Sequence, residues 1–183
     1  MSGRGSGVVM IGATKKAQAD FLILRTDDWQ INHRIDSVLP GYLIVSARKS
    51  TGELSQMPAR ALTELGGLLA KAQQALTEIL QPEHLYIGRY GHTSGLSFHF
   101  HVIPIRAWVK QSFFDDPRYR VLQNFGQRSD TCETDGAELT LYVWREFCES
   151  LNPPAIPGPS VCEVIEDLKR KMITTDMDCM PKD

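Results

Sequence analysis

Two histidines, His99 and His101, are the residues of this chain best placed to do chemistry. They stand two positions apart in the segment from Ser97 to Pro104, where polar and apolar residues alternate. Because successive side chains of a β-strand point to opposite faces, this alternation predicts a strand with both imidazoles on one face. With a reference pKa of about 6.5, an imidazole can act near neutral pH as a nucleophile, a general base, a phosphate-binding cation or a metal ligand.

A glycine-rich segment just before this strand favours an anion as the ligand. Residues 88–95 contain three glycines together with Thr93 and Ser94. Glycines allow backbone N–H groups to approach a phosphate closely, and the two hydroxyl groups add further donors. Alternating histidines that follow such a segment therefore favour a functional site over a pair of buried structural residues.

These two features together resemble the signature of the histidine triad (HIT) family of nucleotide hydrolases and transferases. The resemblance is carried by residues 99–104, with the sequence HFHVIP, and by the preceding residues 91–95, with the sequence GHTSG. The family signature has histidines at three alternate positions of a strand. In this register His99 is the central histidine and His101 the last, and Ser97 stands in place of the first.

A second departure from the family pattern lies upstream. Residues 39–45, with the sequence LPGYLIV, resemble the family's Pro-Gly-His strand, with Tyr42 where a histidine commonly stands. Tyrosine and serine can hydrogen-bond to each other where two histidines otherwise would. We therefore hypothesise that Tyr42 and Ser97 lie close together and support His99. The alternative is that Tyr42 is an ordinary half-buried strand aromatic.

The resemblance implies a covalent mechanism. In the family the central histidine attacks the α-phosphate of a nucleotide and forms a nucleotidyl-histidine intermediate, which water then resolves. The attacking ring must be neutral, with its other N–H held by a backbone carbonyl two residues upstream. His99 is then the nucleophile, the Ser97 carbonyl is the acceptor, and His101 in its cationic form stabilises the charge of the transition state.

The resemblance also gives candidates for substrate binding. Phosphate binding is assigned to Thr93 and Ser94, with His92 as a further candidate. Nucleoside binding is assigned to Asn32, with Asp36 as its competitor, because family members hold the ribose with an Asn or Asp upstream of the Pro-Gly pair. Each assignment is an expectation that the resemblance carries.

Among nucleotide substrates, the resemblance favours a dinucleoside polyphosphate such as diadenosine tetraphosphate. Hydrolysis of a nucleoside phosphoramidate, or transfer of the nucleotidyl group to another acceptor, would use the same α-phosphate chemistry and stays open. The family generally needs no protein-held metal or other cofactor for the attack, although a divalent cation can accompany a polyphosphate. The family usually dimerises, which implies a homodimer here.

Two other classes of function compete with the enzyme. His99 and His101, joined by His92 or His33, would form a zinc site, although Ser97 removes one candidate ligand. The second is a nucleotide-binding protein that has lost turnover because two family histidines are replaced. The residues alone exclude neither.

The amino-acid composition indicates which classes of partner to expect. The chain has 183 residues and a formal net charge of −2, enough for one buried core but without the basic surplus that nucleic-acid binding needs. No apolar run approaches the roughly 20 residues that cross a bilayer, and no signal-peptide block opens the chain. The four cysteines follow no metal-binding spacing. We therefore expect a cytoplasmic protein that contacts neither nucleic acid nor membrane.

Hydrophobic periodicity predicts an α+β fold. Apolar residues at three- and four-residue steps from Pro58 to Leu80 predict one long helix, and short alternating segments predict strands. Their order suits a HIT-like antiparallel sheet of about five strands with C-terminal helices. We place a disordered N-terminus at 1–13, a HIT-like domain at 14–152 with the signature match at 21–108, and a Pro-rich linker, short helix and frayed tail at 153–183.

The signature does not explain the part of the chain after Trp108. Aromatic and basic residues between Trp108 and Arg118 either close over a bound nucleotide or pack a C-terminal helix onto the sheet, and packing is favoured. Asp135 and Glu138 predict a capping box at the start of a later helix.

Overall fold

The computed structural model describes residues 20–90, 97–123 and 136–174. The strands are β1 (Leu22–Arg25), β2 (Trp29–His33), β3 (Leu43–Ala47), β4 (His84–Gly88) and β5 (His99–Ile105). The helices are α1 (Ala59–Leu80), α2 (Ala107–Asp115), α3 (Arg120–Gln123), α4 (Ala137–Trp144) and α5 (Val161–Thr174). The strands form one five-stranded antiparallel sheet in the order β1-β2-β3-β5-β4, which confirms the predicted α+β class.

Helix α1 covers one face of the sheet. It begins after Pro58 and ends at Gln81, which has a left-handed backbone and donates its N–H to the Thr77 carbonyl. The buried residues of α1 pack against apolar residues of β2, β3 and β5. Trp29 links the two layers, because its indole N–H donates to the Ala61 carbonyl over 2.9 Å. The apolar half of the strand alternation thus faces α1, and the polar half faces the other way.

Helix α5 belongs to the same core. Its buried residues join the cluster that contains the inner face of α1, and the helix contacts both α1 and β1. The short helix predicted after the Pro-rich segment is therefore part of the main core. The disordered N-terminus predicted at 1–13 lies outside the described residues, as do residues 175–183 of the predicted frayed tail. None of the described helices has the length and apolar composition needed to cross a membrane.

A second apolar cluster packs at the C-terminal end of β5 and joins it to α2 and α4. Phe113 has no exposed surface in this cluster, and its ring meets Tyr142 edge to face with centroids 5.5 Å apart. Arg118 makes ion pairs with Asp116 and Glu146 at 2.6 and 2.9 Å. These residues are engaged in packing, as the packing interpretation predicted.

Helix α4 begins differently from the prediction. Its N-cap is Gly136, at a φ of 96°, which has no side chain to cap the helix. A Cβ atom at Gly136 would lie 2.1 Å from the Tyr86 ring, so both the backbone angle and the close approach require glycine. The N-cap is thus Gly136 where the capping box predicted Asp135, which lies outside the described residues, and Glu138 is buried.

Candidate active site

The sheet face turned away from α1 carries the two candidate histidines. In the register of β3 and β5, His99 is paired with Ser46 and His101 with Ile44. A cavity of about 390 Å³ lies over this face. Its lining residues come from β2, β3, β5 and the segments next to them: Gln30, Arg34, Ile44, Ser46, Ala47, Arg48, Ser97, His99 and His101. Because this lining includes two arginines and two histidines and no carboxylate, the cavity favours an anionic ligand.

The ring of His99 is held by the backbone. Its Nδ1 lies 2.8 Å from the Ser97 carbonyl oxygen. A carbonyl only accepts hydrogen bonds, so Nδ1 carries the proton and Nε2 of the neutral ring has a free lone pair. The hydrogen bond implied by the resemblance is thus present. It gives His99 the tautomer that a nucleophile needs, while its role in a reaction stays a prediction.

The ring of His101 lies beside that of His99, with centroids 5.0 Å apart, and contacts Tyr42. The Tyr42 hydroxyl oxygen is 3.0 Å from Nδ1 of His101. Burial raises the pKa of Tyr42 to about 12, so its hydroxyl keeps its proton at neutral pH. Tyr90 covers another side of the His101 ring, with centroids 5.4 Å apart.

Arg34 lies at the edge of this pair and was missed by the sequence analysis. Its Nη1 donates to the Tyr42 hydroxyl over 2.9 Å, while Nε and Nη2 donate to the two carboxylate oxygens of Asp36 over 2.6 and 2.9 Å. Burial by itself raises the pKa of Asp36, but the hydrogen bonds and charge of Arg34 outweigh it and lower the pKa overall. The sequence did contain a signal for Arg34. It stands two positions after Asn32 and four after Gln30, so the strand alternation places it on the same open face.

Comparisons with known proteins find likeness to this chain among solved structures, at the level of the fold. No family model matches the sequence, and no curated protein matches it. The crystal structure of a Zn-bound histidine triad family protein from Mycobacterium smegmatis is 14% identical, with a TM-score of 0.50 over 86% of this chain and 87% of that chain. A histidine triad protein from Bradyrhizobium japonicum is 16% identical, with a TM-score of 0.48 over 87% of this chain and 96% of that chain. A hypothetical histidine triad nucleotide-binding protein from Sulfolobus tokodaii is 17% identical, with a TM-score of 0.43 over 82% and 87%.

The chain has a histidine triad fold. This conclusion rests on the Mycobacterium structure, which aligns with most of both chains, and at 14% identity it concerns the fold alone. The predicted HIT-like architecture is therefore confirmed.

The hypothesis that Tyr42 and Ser97 together support His99 was wrong for this HIT-like chain. Leu43 is paired with Val102 and Ser46 with His99 in the antiparallel ladder, so Tyr42 and Ser97 lie at opposite ends of the β3–β5 pair. The hydroxyl of Tyr42 reaches His101 instead, and the contact of Ser97 with His99 is made by its backbone carbonyl.

The remaining predicted binding residues of the HIT-like chain divide into three groups. Asn32 is paired with Ile44 and shares the open face, although it does not line the cavity. Asp36 has both carboxylate oxygens on Arg34. Residues 92–94, with the predicted phosphate ligands His92, Thr93 and Ser94, lie outside the described residues.

The zinc alternative loses one of its candidate ligands. His33 has no exposed surface, and its two ring nitrogens lie 2.9 and 3.0 Å from the carbonyl oxygens of Arg34 and Leu39. It therefore does not face His99 and His101. Over residues 20–90, 97–123 and 136–174, no three His, Cys, Asp or Glu side chains are grouped to hold a metal ion.

The protonation state of His101 differs from the expectation. Burial is the main cause that lowers the pKa of His101 to about 4. Repulsion from the protonated form of His99 and from Arg34 lowers the pKa further, and Asp36 opposes the shift. The neutral ring therefore prevails near pH 7, whereas the sequence analysis gave His101 a cationic role. The permanent positive charge on this side of the cavity belongs to Arg34.

This lowered pKa predicts that the HIT-like protein loses stability in mild acid. The unfolded chain binds a proton at this histidine near pH 6.5, and the folded chain does so only near pH 4. The contribution is fully present above pH 6.5 and is lost as the pH falls toward 4, by on the order of 3 kcal/mol. Urea denaturation across this range measures the loss.

The control for this prediction is the variant His101→Gln. Burial also lowers the pKa of His33, which acts in the same pH range and is present in both proteins. The variant should therefore show a shallower decline than wild type. Parallel curves for the two proteins would contradict the assignment to His101.

Proposed function

We propose that this protein hydrolyses a nucleoside polyphosphate by attack of His99 on the α-phosphorus, with a dinucleoside polyphosphate such as diadenosine tetraphosphate as the substrate. The observation that carries the proposal is the 2.8 Å hydrogen bond from Nδ1 of His99 to the Ser97 carbonyl, in a ring that lines a cationic cavity. The bond keeps the proton of the neutral ring on Nδ1, which leaves the lone pair on Nε2 for a bound phosphate.

The reaction has two displacements. The Nε2 lone pair of His99 forms a bond to the α-phosphorus, and the bond from that phosphorus to the bridging oxygen breaks, which releases the rest of the polyphosphate with the electron pair. A water molecule then attacks the same phosphorus and breaks the bond to nitrogen. The products are a nucleoside monophosphate and the free neutral imidazole.

The position of the two arginines relative to His99 supports an anionic substrate. Arg48 follows β3 at the end of the open face where His99 lies, and Arg34 follows β2 at the end where His101 lies. Arg48 is fixed by hydrogen bonds from Nη1 to the carbonyls of Thr26 and Asp27 at 2.7 and 3.0 Å. Negative charge of the substrate would meet Arg48 at the His99 end, whereas at the other end the charge of Arg34 is balanced by Asp36.

Other binding roles follow the family resemblance as part of this proposal. Thr93 and Ser94, with His92, bind the phosphate groups. Asn32 is the better candidate for the ribose, because the Asp36 carboxylate is already occupied by Arg34. A divalent cation held by the polyphosphate, a homodimer and a cytoplasmic location stay predictions.

Hydrolysis in ¹⁸O-labelled water tests the position of attack. With diadenosine tetraphosphate as the substrate, we expect adenosine monophosphate and adenosine triphosphate as products, with one labelled oxygen in the monophosphate and none in the triphosphate. Mass spectrometry of the separated nucleotides reads the label. Label in the adenosine triphosphate would mean that the oxygen of water was added on the other side of the broken bond. That result would contradict attack at the α-phosphorus that becomes the monophosphate.

The same assay distinguishes the alternatives. Turnover of adenosine phosphoramidate without turnover of the tetraphosphate would favour a phosphoramidate hydrolase, and adenylate on an added acceptor would favour a transferase. Stoichiometric nucleotide binding without any turnover would favour a protein that only binds nucleotides.

A further inference from the structure

We infer that Tyr42, Arg34 and Asp36 are positioning residues that hold His101 in the tautomer with its proton on Nε2. The use of this proton in catalysis rests on the proposed function, whereas the tautomer is a property of the free protein. The three residues form a line of hydrogen bonds that ends on the buried nitrogen of His101.

The first step of the argument is the direction of the hydrogen bond from Arg34. A guanidinium group has donors only, so the Tyr42 oxygen must accept the proton from Nη1. The two-point contact with Asp36 fixes the plane of the guanidinium and keeps that donor aimed at Tyr42. The side chain of Arg34 is 17% exposed and that of Asp36 is 59% exposed, so water reaches the carboxylate, while the bond from Arg34 to Tyr42 is partly buried.

The second step concerns the hydroxyl proton of Tyr42. This residue is 2% exposed, and among the described residues its hydroxyl is hydrogen-bonded to Arg34 and His101. If Nδ1 of His101 carried a proton, it would donate to the Tyr42 oxygen and leave the buried hydroxyl proton without an acceptor. If Nδ1 is bare, it accepts that proton and every group is satisfied. The second arrangement is therefore favoured.

The third step places the remaining proton. A neutral imidazole has one N–H, so a bare Nδ1 puts the proton on Nε2. The neutral form is the one expected for the buried ring of His101, whose pKa is lowered. His99 is held the opposite way, with its proton on Nδ1 and a bare Nε2. Adjacent rings thus present one lone pair and one N–H donor to the same cavity.

This pairing fits phosphoryl chemistry. The bare nitrogen of His99 attacks, and the Nε2 proton of His101 donates to a non-bridging oxygen as negative charge develops there. The opposite tautomer of His101 would turn a lone pair toward the same oxygen and repel it. Tyr42 thus does for His101 what the Ser97 carbonyl does for His99, with the proton on the other nitrogen.

The test is ¹H–¹⁵N correlation spectroscopy of the histidine rings in the full chain at pH 7. Signals of His101 are assigned by their loss in His101→Gln. We expect Nδ1 of His101 to resonate as a bare ring nitrogen and Nε2 as a protonated one. In Tyr42→Phe the two shifts should move toward each other, because the tautomers then exchange.

Tyr119→Phe is the matched control, since it removes another buried hydroxyl, bonded over 2.6 Å to Glu146 away from the cavity. It should leave the His101 signals in place. A protonated Nδ1 in the wild-type protein would overturn the inference, and that result needs no variant to fold. The expected tautomer without any turnover of nucleotides would uphold the inference and count against the proposed function instead.

Discussion

The variant His99→Asn should lose at least about 10³-fold in turnover of diadenosine tetraphosphate, which corresponds to about 4 kcal/mol in the barrier. Asparagine keeps a polar group of similar reach but has no nitrogen lone pair that can bond to phosphorus. The covalent route is then closed, because the variant lacks the imidazole ring that the Ser97 carbonyl orients in the wild-type protein. Initial rates at saturating substrate measure the loss, and circular dichroism checks that the variant is folded.

Ser97→Ala is the control for this prediction. The contact to His99 is made by the backbone carbonyl, which the substitution keeps. We expect a rate within roughly threefold of wild type, as for a change of about 0.5 kcal/mol. An asparagine variant that retained most of the wild-type rate would rule out His99 as the nucleophile.

Trp29→Ala should lower the free energy of unfolding by about 3 to 5 kcal/mol. Trp29 has no exposed surface, meets the Phe98 ring with centroids 6.5 Å apart, and donates its indole N–H to the Ala61 carbonyl. The truncation opens a cavity between β2 and α1 and leaves that carbonyl without its indole donor. Urea denaturation of the variant measures the change.

Trp144→Ala is the matched control, because it removes the same atoms from a side chain that is 41% exposed. Its effect should stay under about 1 kcal/mol. Similar losses for both tryptophan variants would mean that Trp29 does not link the helix to the sheet in the way described.

Local patterns were enough to predict the elements that carry the site. The alternation around His99 placed both imidazoles on one face, and the spacing of apolar residues in α1 placed the other face against a helix. These patterns depend on residues close in sequence, and burial of one apolar face determines them. The backbone acceptor for His99 is also local, since it lies two residues away.

Contacts between strands were harder to predict from the sequence. Tyr42 reaches His101 across 59 positions of the chain, and only the register of β3 against β5 decides that it meets His101 and not Ser97. Arg34 had no predicted role, and Asp36 was only a candidate for the ribose. The pairing of β2 with β3 places Arg34 beside Tyr42, where its side chain joins Asp36 to the Tyr42 hydroxyl. The histidine pair could be predicted from the sequence, whereas the residues that set the state of His101 could not.

The central claim is that phosphorus becomes bonded to Nε2 of His99 during turnover. The direct measurement is rapid quenching of the protein with diadenosine tetraphosphate under acid-free conditions, followed by mass spectrometry with fragmentation that separates His99 from His101 within one peptide. We expect a single adenylate, sensitive to acid, on His99. An adenylate on another residue, or full turnover with no adduct at any quench time, would contradict the claim.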